Sequence, residues 1–295
     1  MWESVRHEQC NNARLSPSSS TESAIVRFTR VVLACFALLC PRLSAQSADT
    51  SRSRTFLNRG DLGWAAAAAG TTVLISAFDK SIARASQESR FQDSSLHRFA
   101  LDVSHVNETT LTIAGIATYG IGRLTHSELM TDVALHATES VVLSSIAAQL
   151  IRGPLGRTRP YVSHDSDQYL FRPFKGFFGK SSFDNRAFPS IHTSSSMAVA
   201  TVITMETNRR APGATWIVAP VLYTAALLPG VARIQLDQHW ASDIVSGAFM
   251  GVFAAYKVVS YSHDHPDNRF DRMFLRASVM PGPNGGVLVG FSPGF

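Results

Sequence analysis

His239 and Asp243 stand four residues apart in the run RIQLDQHWASD that begins at Arg233. On a helix, that spacing puts both side chains on one face and within hydrogen-bond reach. A carboxylate on one ring nitrogen fixes the imidazole tautomer. The other nitrogen keeps its lone pair, which a nucleophilic or basic histidine requires. Asp237 is a second carboxylate nearby, but two residues away it faces elsewhere on a helix. An ordinary surface His–Asp pair explains the same spacing.

Two further clusters carry chemistry. The run RGPLGRTRP, from Arg152 to Pro160, sets arginines among Gly and Pro close to a helix end. A guanidinium is permanently charged and binds phosphate oxygens in a fork, so such a hook suits an anion. Cations that merely cap a helix C-terminus give the same pattern. In FPSIHTS, residues 188–194, a Pro and a Ser open an apolar segment, the signature of a helix N-terminus. Free N–H groups and the helix dipole there attract an anion, and the Ser190 hydroxyl adds a donor. His192 falls in the first turn, beside any anion so bound, although a packing histidine reads no differently.

Taken in order, Arg-x6-Arg-Pro, Pro-Ser-x-His and Arg-x5-His-x3-Asp resemble the three-part motif of the type 2 phosphatidic acid phosphatase and vanadium haloperoxidase superfamily. The resemblance extends over about residues 60–260. It implies a metal-independent phosphoric ester hydrolase, with the following roles. Arg152, Arg159 and Arg233 hold the phosphate. Ser190 and the backbone N–H of Ile191 complete the cradle. His239 is the nucleophile that forms a phosphohistidine, Asp243 orients it, and His192 protonates the leaving alcohol. The chain departs from the family pattern at three positions. Arg152 stands where Lys is usual, Ala232 where Ser is usual, and Ile191 where Gly is expected. A β-branched residue is unfavourable at positive φ, so Ile191 is tolerated only if the backbone there is helical. Two other outcomes follow from the same pocket: a vanadium-dependent haloperoxidase, and an envelope protein that binds phosphate or lipid with impaired turnover.

The elements that would position these residues are helices. Of the 295 residues, 45% are hydrophobic and 17% charged, an apolar-rich balance. Apolar stretches recur at 64–78, 109–122, 129–150, 190–205, 214–232 and 239–256. No sustained period-2 alternation occurs before residue 275. The expected fold is therefore all-α, a bundle of about six core helices. A small C-terminal hairpin is expected where Ala277–Met280 and Val287–Val289 flank a Pro/Gly/Asn turn. The 129–150 stretch is amphipathic and carries Asp132, His136 and Glu139. Most stretches are at or below the length of a membrane span, and a bundle of buried helices gives the same pattern.

The chain is expected to divide into a signal peptide or N-terminal anchor (1–45), a linker (46–59), the phosphatase-like helical domain (60–262) and a C-terminal tail (263–295). Arg27 and Arg30, an apolar core and the Leu43-Ser44-Ala45 exit have the order of an export signal. The site would then lie in the cell envelope, on the periplasmic or outer side. All three cysteines (Cys10, Cys35, Cys40) precede the proposed cut, so no disulfide or cysteine metal site is expected in the mature chain. The formal charge of +5 includes +2 from residues 1–45, and the remainder is too mild to imply nucleic acid. The expected partners are a phosphorylated small molecule or lipid and the membrane itself. No cofactor is expected, and no oligomeric state is implied.

Overall fold

A computed structural model describes residues 56–89, 91–92, 94–177, 179, 181–265, 268–269, 271, 277–281 and 287–291. The expected export segment and the linker up to residue 55 lie outside them. The described helices are α1 (Gly60–Ser76), α2 (Asp79–Ser86), α3 (Ser94–Ser104), α4 (Glu108–Leu124), α5 (Glu128–Leu155), the single turn α6 (Pro160–Ser163), α7 (Ile191–Arg210), α8 (Pro212–Gln235) and α9 (Ala241–Asp264). Six of these have 17 residues or more, matching the expected bundle. Strands β1 (Ala277–Pro281) and β2 (Val287–Phe291) pair antiparallel as the expected terminal hairpin.

Local chemistry sets the helix ends. Asn107 and Thr110 form a reciprocal capping box at the start of α4. The Ser127 side chain caps α5 by accepting from the Met130 N–H at 3.4 Å. Gly156, at φ 62°, ends α5 in the left-handed conformation that glycine adopts without penalty. The polar stretch after Phe78 is not simply a connection, because it folds into α2 and α3. Pro220 and Pro229 do not divide the 214–232 stretch either; both lie inside the continuous helix α8.

The middle of the bundle is made by α5, α7 and α9, whose small apolar residues Ala137, Val141, Ala198, Val202, Ala255 and Val259 form a fully packed core. Two glycines one turn apart bring α9 against α7. A Cβ on Gly247 would lie 2.4 Å from the Ser190 carbonyl oxygen, and one on Gly251 would lie 2.1 Å from that of Ser194. Only hydrogen fits at either position, and the close contact fixes the α7 N-terminus beside the α9 N-terminus. Helix α1 is tied to α9 by Lys257, whose ammonium meets Asp61 at 2.7 Å.

The outer faces are different. Leu62, Leu74, Leu150, Trp216 and Val221 are well exposed. Helices α5, α8 and α9 are long and apolar enough to cross a membrane, and α1 with α2, bent by 57°, makes a fourth such unit. This apolar exterior over a small-residue interior is that of a membrane protein.

Candidate active site

Three segments converge at one end of the bundle: the C-terminus of α5 with the loop after it, the N-terminus of α7, and the connection from α8 into α9. Each holds one of the clusters picked out in the sequence.

His239 is 1% exposed and Asp243 fully buried. They meet through His239 Nδ1 and Asp243 Oδ2 at 3.4 Å. The expected pairing is present, but its geometric cause differs. His239 does not lie on the helix, because Trp240 is the N-cap of α9 and Ala241 its first residue. Asp243 folds back as a capping side chain and accepts from the Trp240 N–H at 2.8 Å. That same oxygen then reaches His239. The Trp240 indole is fully buried and donates to the Thr158 carbonyl at 2.9 Å, which anchors the turn.

His239 pairs with Asp243 and not with Asp237, the alternative carboxylate. Asp237 sits at φ 57° in the turn after α8 and shares a hydrogen bond with Asp165. Burial and the neighbouring Asp165 push its carboxyl up to about 7.

The arginines of the first cluster separate into two jobs. Arg159 donates from Nε to the Phe183 carbonyl at 2.9 Å, and its guanidinium lies over the Phe183 ring at 4.0 Å. Its Nη1 meets Gln238 Oε1 at 3.0 Å, and Arg233 Nη2 meets the same oxygen at 3.2 Å. Gln238 therefore brackets two guanidiniums directly beside His239. Arg152 is held by the Arg186 carbonyl, which accepts from its Nε at 3.1 Å and also from Nη2.

Arg157 serves neither an anion nor solvent. Its Nη1 donates to Asp243 Oδ1 at 2.6 Å and to Ser242 Oγ at 2.7 Å, and its Nη2 donates to Asp79 Oδ2 at 2.7 Å. Asp79, fully buried at the start of α2, also accepts the Ser242 N–H at 2.8 Å and the Ser242 hydroxyl. An Asp79–Arg157–Asp243 chain of charges thus stands behind His239 and satisfies Oδ1 of Asp243, while Oδ2 is held by the Trp240 N–H and faces His239. Sequence reading missed this relay. Arg157 is chemically identical to its two neighbours, and Asp79 lies far upstream with no distinguishing motif.

Ser190 is the N-cap of α7. Its backbone N–H donates to the Asp243 carbonyl at 3.0 Å, and its Oγ accepts from the Thr193 hydroxyl at 3.1 Å. The Ser190 hydroxyl hydrogen remains available for an anion. Ile191 is the first residue of α7 and is absent from the non-glycine residues with positive φ. The backbone there is helical, so the isoleucine is unstrained, and its side chain packs inward at 1% exposure.

The electrostatics are one-sided. Burial, followed by the charges of Arg159, Arg233 and Arg152 and by His192, holds His239 well below its usual range. Burial, followed by Arg233, Arg152 and Arg159, pulls His192 down to about 3. Both rings are neutral at pH 7. The three guanidiniums act on both, so all five groups share one electropositive pocket. Such a pocket can hold a tetrahedral anion against a histidine lone pair.

The molecule is thus a helical bundle with arginines and histidines gathered at one end, and it can be compared with known proteins on that basis. Residues 133–267 match the model of the PAP2 superfamily. The chain is 29% identical over 124 residues to the lipid A 1-phosphatase of Rhizobium etli, covering 42% of this chain and 48% of that protein. It is 38% identical over 66 residues to the lipid A 1-phosphatase of Porphyromonas gingivalis, covering 22% of this chain and 14% of that protein. The matches span less than half the length of these relatives. The fold is shared with the crystal structure of a transmembrane PAP2 type phosphatidylglycerolphosphate phosphatase from Bacillus subtilis. The TM-score is 0.51 at 18% identity, covering 70% of this chain and 98% of that one.

Proposed function

We propose that this protein is a membrane phosphatase that removes a terminal phosphate from an anionic lipid through a phosphohistidine on His239, without a metal. The observation that carries this reading is the neutral, buried His239 ring, backed by Asp243 and faced by Arg152, Arg159 and Arg233. The three guanidiniums bind the phosphate oxygens, and the Ser190 hydroxyl with the Ile191 N–H completes the cradle. Asp243 holds the Nδ1 proton, so the Nε2 lone pair of His239 attacks phosphorus. The N–P bond forms as the bond to the leaving alkoxide breaks.

His192 supplies the proton for that alkoxide. Its low basicity in the free protein comes partly from the arginine charges. A bound phosphate dianion offsets those charges and raises the basicity when the substrate arrives. In the second half, His192 takes a proton from water, which displaces His239 from phosphorus and releases inorganic phosphate. The lipid substrate is supported by the exposed apolar helix faces and by relatives whose names specify lipid A and phosphatidylglycerolphosphate. The export-type segment at 1–45 favours a pocket on the periplasmic or outer side.

The test is phosphate release from phosphatidic acid in mixed micelles and from p-nitrophenyl phosphate, each with and without EDTA. The expected result is EDTA-insensitive release by wild type, faster on the lipid, and none by His239→Ala. Full activity in His239→Ala, or no release by wild type, contradicts the proposal.

A further inference from the structure

The opposite ends of α5, α7 and α9 carry a second polar cluster that the phosphatase reading does not use. His136, Glu206 and His263 each offer one ligand atom, and these atoms lie within 4.8 Å of one another. Glu139 and Asp271 form a second such group with the same His136. Along α5, His136 is sixteen residues from Arg152, about 24 Å at about 1.5 Å per residue.

Hydrogen bookkeeping shows what this cluster lacks. Ser262 Oγ donates its one hydrogen to Asp271 Oδ2. It must therefore accept from His136, whose Nε2 lies 2.9 Å away. In the neutral ring, Nδ1 then carries a bare lone pair. That atom is buried without a hydrogen-bond partner, in a residue 1% exposed, and it faces Glu206 Oε1 at 3.8 Å. The gap is too long for an N–H···O hydrogen bond. Two metal bonds of about 2.0–2.1 Å meeting at an angle span about 3.3–4 Å, which fits it. A lone pair against a carboxylate repels unless a metal ion or a proton stands between them.

Charge makes the same demand. Glu206, Glu139, Asp271 and Asp132 gather here, and Arg210 is the one arginine or lysine paired with them among the described residues. Its guanidinium side is 41% exposed and spans Asp132 and the far oxygen of Glu206.

We infer that His136, Glu206 and His263 form a site for a borderline divalent transition ion of the zinc type, which clamps α5, α7 and α9 at the end remote from the phosphate pocket. Two imidazoles and one carboxylate suit such an ion, whereas magnesium and calcium favour all-oxygen sites. The outer support is already present. Ser262, backed by Asp271, fixes the His136 tautomer, and Arg210 holds the second Glu206 oxygen. His263, 22% exposed, is the entry point. In the free protein its Nε2 hydrogen-bonds Glu206 Oε1 at 2.6 Å; the incoming ion takes Nε2, and the proton of the neutral ring moves to Nδ1.

The experiment uses the full chain without a histidine tag, purified in detergent and stripped of metal. Co²⁺ is titrated while its visible ligand-field bands are followed, and Zn²⁺ is then added to displace it. The expected result is one equivalent per chain, with affinity at least about ten-fold weaker in His263→Ala and Glu206→Gln. Zn²⁺ should raise the Tm of wild type but not of His263→Ala, and phosphate release should be unchanged in both. The partly exposed His263 keeps the test independent of whether His136→Ala folds. No stoichiometric Co²⁺ spectrum, or binding and thermal gain unchanged in both variants, overturns the inference. So does a Tm that rises on acidification with no metal response, because protons on the histidines would then supply the missing charge.

Discussion

The two ends of the α5–α7–α9 bundle have opposite surpluses of charge. At one end Arg152, Arg159 and Arg233 surround two neutral histidines. At the other, Glu206, Glu139, Asp271 and Asp132 gather around one paired arginine, Arg210. Between them lies the dry Ala/Val core. Unbalanced buried charge is costly, so each end is set for a ligand of the opposite sign. The anion end also contains a separate charge chain, Asp79–Arg157–Asp243, in which one cation is held between two carboxylates; it fixes geometry and, among the described residues, leaves the three other arginines unpaired by a carboxylate there.

The largest effect on stability should come from removing the cation of this relay. Arg157→Met leaves the buried carboxyls of Asp79 and Asp243 without the cation between them. Breaking a buried pair in this way costs about 3–5 kcal/mol. The variant should show a marked drop in Tm and near-complete loss of activity, whereas Arg159→Met should lose activity and keep its Tm. Thermal unfolding in detergent checks both, and an unchanged Tm in Arg157→Met would remove the relay from the account.

The α7–α9 contact comes next. Gly251→Ala places a methyl on the Ser194 carbonyl, and overpacking of this kind costs about 1–3 kcal/mol. The same chain-melting measurement should place it between wild type and Arg157→Met.

The histidines of the anion end give a pH signature. His192 is held at about 3 in the fold, below the ordinary histidine value of 6.5. The unfolded chain therefore binds more protons below about pH 6.5, and stability must fall as pH drops from 6.5 toward 3. Inorganic phosphate or vanadate should flatten this decline by offsetting the arginines, and His192→Asn should remove its share. A Tm that stays flat from pH 6.5 to 4 in wild type would place His192 outside the electropositive pocket.

The smallest effect should come from Ile191→Gly. Because Ile191 is helical and packed inward, phosphate release should change by no more than a few-fold. A gain of a hundred-fold or more would revive the reading of an impaired enzyme.

How much of this was legible in sequence follows from where each residue sits. The three motifs could be read because their residues lie in loops and at helix starts, where type and spacing carry the chemistry. The His239–Asp243 pair was legible by spacing, yet its cause was not. A helix face and a capping turn both bring i and i+4 together, and only the backbone distinguishes them. Arg157 could not be told from Arg152 and Arg159, because the left-handed Gly156 and the turn after it decide which guanidinium faces inward. Helix α8 was legible as the apolar stretch 214–232 despite Pro220 and Pro229, which normally argue against a helix interior. The far-end cluster was beyond reach. Asp132, His136 and Glu139 were visible as polar residues on an amphipathic stretch, but their partners Glu206 and His263 come from helices distant in sequence.

The central claim is that phosphate passes through His239. It is tested most directly by a single turnover, with enzyme in excess over a ³²P-labelled lipid phosphate, quenched in alkali and mapped by peptide. The account predicts an acid-labile, alkali-stable label on the peptide containing His239. Label on His192 or any other residue, or complete release of phosphate with no protein-bound label at any time, would contradict it.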